Sequence, residues 1–419
     1  MLSYDDALAR ILAAVPGSLP AEPTPLDDAL GRALAHDVLA SGDLPPFANS
    51  AVDGYAVRAE DTKDASPGRS VQLMVTQTIP AGHAPQREVG PGEAARIYTG
   101  APLPSGADAL VMVEDTAAAA TESGGDAVQL RAPGTSAHVR HAGSDLARGA
   151  LALSAGTTLD AGAIGLLAAL NVSAPRCPRR PRVALLTTGD EVVPPGDDAA
   201  PLAPGQIRDA NGPALRAALR EAGAHLILAR HTRDTGADVR HAFDEALAAG
   251  CDVLLVSGGV SVGDYDVVKA VVQSLGRLDF WRIAIKPGKP LAFGCVGNAL
   301  FFGLPGNPVS SLVTFELFVR PLLRRLAGHD QILRPQVSAV LSQGLPHERG
   351  RREFARARLS WENDAYRATP TGVQASHRLA SLTGADALLV AHEEHGDYAP
   401  GERLPALLVH SSSPDAARG

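Results

Sequence analysis

The sequence predicts an α/β fold. A central, doubly wound, mostly parallel sheet is joined by a small inserted β-rich domain and a C-terminal β domain. Three observations predict it. From Arg182 to Leu326, strand-length apolar runs alternate with helical segments, the pattern of βαβ units. From Phe47 to about Arg140, and again from His329, helical spacing gives way to short strands split by glycine and proline. Finally, 419 residues allow roughly two to four domains.

Taken in order, Tyr4 to Val15 has helical spacing with Ser3 as its cap, and a short helix is expected around Asp27 to Leu39. Strands are expected at Ser70–Ile79, Ala94–Tyr98, Ala109–Glu114 and Ala127–Ala132, with Thr116 to Gly125 as a loose loop tip. A helix covers Ala161–Leu170, and the proline- and arginine-rich Ala174 to Pro181 reads as a linker. The central domain then runs strand Arg182–Leu186, a helix opened by Asn211-Gly212-Pro213 with Asn as cap, strand His225–Ala229 and helix Ala237–Ala248. Strand Val253–Val256, helix Tyr265–Leu275, strands Phe280–Ile285, Leu291–Gly294 and Leu300–Gly303, and helix Val309–Leu326 complete it. Beyond it, strands are expected at Val337–Leu341, Glu353–Trp361, Tyr366–Thr369 and Leu388–His392, with a hairpin turn at Asn363-Asp364. The expected domains are 1–46 with 141–176 (residues 1–20 being candidates to pack on the central domain), 47–140, 177–328 and 329–411, followed by a tail at 412–419.

Composition narrows the function. A net charge of −8 argues against a nucleic-acid surface, so any anion site must be local. The longest apolar run, Ala161 to Val172, is about the length of a buried helix and too short to span a bilayer. The first residues, Met1 to Asp6, lack a cationic region followed by an apolar core, so no signal peptide is expected, and three scattered cysteines (Cys177, Cys251, Cys295) fit a reducing cytoplasm and exclude a zinc cluster built from paired cysteines. They read as buried small hydrophobes, and His225, His231 and His241 lack metal-ligand spacing.

Three loops carry the chemistry: Ser257-Gly258-Gly259 through Gly263-Asp264, Lys286-Pro287-Gly288-Lys289-Pro290, and Gly303-Leu304-Pro305-Gly306-Asn307-Pro308. Glycine bares the backbone and proline fixes it, which makes nests of N–H groups suited to phosphate or oxyanion. Of 38 basic residues only four are lysines (Lys63, Lys269, Lys286, Lys289), and two of them share one loop. A chain that otherwise writes arginine uses a compact ammonium there. In an open sheet, ligands bind beyond the carboxyl ends of parallel strands. Thr188-Gly189-Asp190-Glu191, Asp234, the Gly258 loop and Leu304 to Pro308 each follow a strand and so share one rim. Acids beside a phosphate nest suit a magnesium ion held by one or two carboxylates plus substrate phosphates, though any one of them could instead cap a helix.

These segments occur in one order with Pro46-Phe47-Ala48-Asn49-Ser50-Ala51-Val52-Asp53-Gly54-Tyr55-Ala56 and Thr99-Gly100-Ala101-Pro102. From Tyr4 to about Val409 the chain closely resembles the molybdopterin molybdenumtransferase (MoeA) family, which is related to the gephyrin E domain. Ala48 and Val52 depart from its usual residues. The resemblance implies a molybdopterin-binding fold for the central domain within a four-part elongated homodimer. It implies transfer of molybdate, the co-substrate, into adenylylated molybdopterin, with AMP release and Mg2+ as cofactor. Other molybdenum cofactor biosynthesis proteins are further partners under it; nucleic acid and membrane are not. By motif match it assigns catalytic roles to Asp53, Thr99, Asp145, Glu191, Asp234 and Asp264, with Glu191 and Asp264 on the metal. Thr188, Gly189, Asp190, Ser257, Gly258, Gly259, Gly263, Pro305, Gly306, Asn307 and Pro308 would hold pterin and pyrophosphate. Lys286, Lys289, Pro290, Ser310, Arg356 and Ser376 would hold molybdate. Asp53 and Thr99 would act in the partner's site. Two alternatives share the central fold: a molybdopterin adenylyltransferase, and a gephyrin-like scaffold.

Overall fold

The computed structural model describes residues 1–15, 17–121, 124–196, 201–259, 267–280 and 282–409. The chain forms two compact units. One comprises Met1–Ala35, Gly156–Leu159 and the chain from Arg176 on; the other comprises His36–Ala155 and Asp160–Pro175.

In the first unit, the central sheet has six strands in the order His225–Thr232, Arg182–Thr188, Val253–Ser257, Ala299–Leu304, Ala292–Val296, Gly276–Phe280. The first four are parallel, and Ala292–Val296 runs antiparallel to both of its neighbours. Side-chain alternation along Arg182–Thr188 shows why both faces are covered. Val183 and Leu185 pack with Leu215 and Leu219 of helix Asn211–Glu221, Val309 and Val313 of helix Pro308–Thr314, and Ala7 and Ile11 of helix Tyr4–Ala13. Ala184 and Leu186 point the other way, onto Val239 and Phe243 of helix Gly236–Ala248 and Val268 and Val272 of helix Val267–Leu275. The doubly wound expectation is met.

Five further strands close a ring: Arg352–Glu362, Ala365–Pro370, Gln336–Leu341, Arg403–Leu408 and Ala387–Ala391, which pairs back to Arg352–Glu362. Asn363 and Asp364 turn that hairpin, both at positive φ (51° and 57°), as a tight two-residue loop requires. The second unit holds a six-stranded sheet ordered Ala109–Met112, Gly54–Val57, Glu93–Ile97, Val71–Ile79, Asp126–Leu130, Thr116–Ala120.

Several expectations are corrected. The helix expected over 27–39 is a single 3-10 turn, Leu26–Asp28, ended by Gly31 at φ 73°, after which Val38–Leu39 pairs as a strand. The loose tip 116–125 begins as strand Thr116–Ala120, an alanine run drawn into the sheet by Asp126–Leu130. The expected linker contains strand Arg176–Pro178, paired with Ala21–Pro23. The strand expected at 280–285 lies earlier, at Gly276–Phe280, and Ile285–Lys286 joins the C-terminal sheet instead. Asn211 does not cap its helix; Asp209 takes the Gly212 N–H at 2.8 Å. The 309–326 helix contains a π segment at Phe315–Val319, just ahead of Pro321, whose missing N–H breaks the regular ladder. Strand Arg403–Leu408 was not expected at all. Ser3 does cap its helix, accepting the Asp6 N–H at 3.1 Å. Cys177 and Cys251 are buried and Cys295 half-buried, all three free. Among the described residues no helix is long and apolar enough to cross a membrane.

One buried group makes stability depend on pH. His329 is 7% exposed, its Nδ1 2.7 Å from Thr158 Oγ1. Burial, with Arg324, Arg320 and Arg32 nearby, pushes its pKa down to about 4. Above pH 6.5 neither state is protonated there, so the group is neutral to stability. As pH falls towards 4 only the unfolded chain gains the proton, and stability is lost, by up to about 3 kcal/mol. The variant His329→Gln is expected to show a shallower fall in urea-midpoint stability between pH 6.5 and 4 than the parent chain.

Candidate functional site

The carboxyl ends of the four parallel strands open into a cleft of about 600 Å³. Its wall includes Thr188, Gly189, Glu191, Asp234, Ser257, Gly258, Gly259, Pro290, Pro305, Gly306, Asn307 and Pro308. The structure thus brings together most of the sequence-predicted rim. Gly263 and Asp264 lie outside the described residues. The glycines are required at Gly258 and Gly259, at φ 95° and 63°. A Cβ would stand 2.5 Å from the Thr188 carbonyl oxygen at Gly258 and 2.7 Å from Val268 Cγ2 at Gly259. Glycine therefore lets this loop pack directly against Thr188 and Val268 at the cleft wall.

Hydrogen bonds fix the loops to one another. The Thr188 hydroxyl donates to Asp234 Oδ1, and the Asp234 N–H donates to Asp190 Oδ1 at 3.2 Å. Asp190 and Asp234 are thereby engaged within the rim. Glu191 is exposed and its carboxylate accepts no hydrogen bond among the described residues. Asn211, expected to cap its helix, instead ties two loops together. Its Nδ2 donates to Ser257 Oγ at 3.0 Å and to the Gly306 carbonyl at 2.7 Å. The carbonyl contact fixes which end is the amide nitrogen. Asn211 Oδ1 is then a buried acceptor without a partner. The missed signal was Asp209, two residues earlier, which already supplies the cap and frees the asparagine. Asp209, Arg208 and His377 also line the cleft.

The expected molybdate group divides. Pro290 lines the cleft. Lys286 Nζ donates to Glu353 Oε2 at 3.0 Å, whereas Lys289 is exposed and has no side-chain partner among the described residues. Ser310 is 5% exposed in helix Pro308–Thr314. Ser376 reaches the rim: its Oγ accepts from Asn307 Nδ2 at 3.2 Å, and its carbonyl accepts the Val309 N–H. Arg356 is completely buried. Its guanidinium donates to Ser381 Oγ at 3.0 Å and, at 3.3–3.4 Å, to the carbonyls of Val373, Gln374 and Ala375. It holds the loop that presents Ser376 and His377.

In the other unit, Asp53 and Thr99 meet directly. Asp53 Oδ1 accepts both the Thr99 N–H and its hydroxyl at 2.8 Å. The backbone bond first, then the hydroxyl bond and the Arg96 charge, hold the exposed Asp53 carboxyl below the usual carboxylate range. Arg96, not foreseen from sequence, sits over the Tyr55 and Tyr98 rings at 5.7 and 5.5 Å and donates to both phenol oxygens. Asp145 is exposed in the same unit.

Family models describing the MoeA N-terminal region (domain I and II), a probable molybdopterin binding domain and the MoeA C-terminal region (domain IV) match residues 2–171, 184–325 and 338–409. A relative named molybdopterin molybdenumtransferase 2, from Mycobacterium tuberculosis, is 42% identical over 390 residues, which is 91% of this chain and 93% of its own. The chain belongs to the MoeA family. Another member, a molybdopterin molybdenumtransferase of Haemophilus influenzae, is 36% identical over 96% of this chain and 98% of its own. Two solved structures of a MoeA molybdopterin biosynthesis protein from Pyrococcus horikoshii superpose at a TM-score of 0.81. Their identities are 34% and 29%, and the match covers 98% and 97% of this chain and all of each of theirs.

Proposed function

We propose that this MoeA-family chain is a molybdopterin molybdenumtransferase working as a magnesium-dependent cytoplasmic homodimer. It takes adenylylated molybdopterin and molybdate, releases AMP and forms molybdenum cofactor. The observation that carries this is the cleft at the ends of four parallel strands, with Gly189, Gly258, Gly259 and Gly306 lining its wall and the unpaired Asn211 Oδ1 buried beside it. Bare backbone suits a pyrophosphate, and an orphaned acceptor suits an N–H of a pterin-like ring.

Magnesium fits this rim, although among the described residues no three metal-capable side chains converge. The ion needs only one or two carboxylates when substrate phosphates and water complete its shell. Glu191 has no competing hydrogen bond and is the residue that would hold it, together with Asp264. The ion would supply charge neutralisation at the phosphates. Around it, Thr188, Asp190 and Asp234 keep the rim rigid, and the Ser257 to Gly259 and Pro305 to Pro308 backbones bind and orient the substrate.

Incubation with adenylylated molybdopterin, magnesium and molybdate is expected to release AMP and to reconstitute an apo-molybdoenzyme. Pyrophosphate released from ATP and molybdopterin, with no AMP release, would make the chain an adenylyltransferase instead. The variant Asn211→Ala loses both loop ties and the orphan acceptor. It is expected to bind adenylylated molybdopterin at least about tenfold more weakly in calorimetric titration, two neutral hydrogen bonds being worth about 1 kcal/mol each.

A further inference from the structure

Lys286 is built into the C-terminal sheet. The short strand Ile285–Lys286 runs parallel to Arg352–Glu362, with Lys286 opposite Glu353 in register. Glu353 is only 1% exposed, and a carboxylate at that depth requires partners. It has two on one oxygen: Oε2 accepts from Lys286 Nζ at 3.0 Å and lies 3.1 Å from His347 Nδ1. The His347 ring is held at its other nitrogen too, because Nε2 lies 3.0 Å from the His392 carbonyl, and its backbone N–H donates to Asp397.

That carbonyl can only accept, so Nε2 carries a hydrogen. A second proton then lies between Nδ1 and the carboxyl, whichever atom owns it. Counted over the three side chains, either arrangement leaves one net positive charge: lysine and imidazolium against carboxylate, or lysine beside a neutral pair. The buried acid therefore does not cancel the charge that the loop offers an oxyanion.

We propose that Glu353, braced by His347, is the positioning residue for Lys286. It takes one of the ammonium's three N–H donors and aims the other two at molybdate. This rests on the reading of Lys286 as a molybdate ligand, and the test separates the two. Molybdate and adenylylated molybdopterin are titrated separately into the full-length variants Lys286→Gln, Glu353→Gln and the double variant. Each single change is expected to weaken molybdate binding about tenfold and leave pterin binding unchanged. The double variant should be no weaker than Lys286→Gln alone, because Glu353 acts through the lysine. Glu353→Asp, which keeps the charge, should recover part of the loss.

Additive losses overturn the positioning role, and so does tighter molybdate binding in Glu353→Gln, which would make the carboxylate a mere opposing charge. Unchanged molybdate binding in Lys286→Gln overturns the ligand reading itself and the positioning with it. Should Glu353→Gln melt too low to titrate, His347→Gln carries the same cycle: a loss is expected with Lys286 present and none in the Lys286→Gln background, and equal losses in both overturn the proposal.

Discussion

Chains carrying Asp53→Ala and chains carrying Glu191→Ala, each inactive as a homodimer, are expected to recover about a quarter of parental turnover when mixed equally and allowed to exchange. Half of the dimers would then be mixed, and each mixed dimer would hold one intact site of two. The expectation follows from the proposed homodimer and from what family resemblance implies for Asp53 and Thr99, that they act in the partner's site. The local chemistry supports a role outside their own domain. Asp53 is exposed, its carboxylate is pinned by two Thr99 hydrogen bonds, and those bonds with Arg96 favour its ionised form. Those bonds tie the carboxylate to the turn closed by the Ala101 N–H on the Tyr98 carbonyl, so it is held in one rotamer at the surface. Glu191 belongs to the cleft of the other unit and has no hydrogen bond to lose. Turnover measured as AMP release decides the matter. No recovery, once differently tagged chains are shown to have exchanged, would place both residues in one chain's site.

How far the sequence revealed this depended on whether the information was local. The parallel strands were readable because Val183 to Leu186 is a continuous apolar run, as a sheet buried on both faces demands. The loops that follow them were readable because glycine and proline announce themselves. Thr116–Ala120 was not, since alanine has no liking for strands and only its neighbour makes it one. Ile285–Lys286 was missed for a similar reason: its partner, Arg352–Glu362, lies 67 residues away from Lys286 to Glu353. Within the site, Asn211 and Glu353 went unseen because their importance lies in long-range hydrogen bonds, and four of the five N–H donors of Arg356 are given to its own domain. Residue type suggested the chemistry; only packing showed which groups remain free for it.

Lys289→Ala is expected to weaken molybdate binding by about ten- to a hundredfold, the loss of a charge-assisted hydrogen bond costing roughly 1.5–3 kcal/mol. The two lysines of this loop differ in what they have left to give. Lys286 already donates to Glu353, while Lys289 is exposed with no side-chain partner among the described residues, so its ammonium keeps all three donors. The loop that carries it is stiff. Gly288 has φ 108°, a Cβ there would lie 2.4 Å from Thr314 Cγ2, and the Lys289 carbonyl accepts the Ile283 N–H at 3.1 Å. Pro290, the next residue, lines the cleft. A compact ammonium on a fixed backbone beside the cleft puts a point charge on a small tetrahedral dianion, and the bulkier planar guanidinium cannot occupy the same place. Lys289→Arg should therefore restore little of the loss despite keeping the charge. Calorimetric titration with molybdate and with adenylylated molybdopterin, each alone, distinguishes the outcomes. A loss confined to molybdate is the expected result. Equal losses for both ligands would put the ammonium on the phosphates, and no loss for either would leave Lys289 a solvent-facing turn residue.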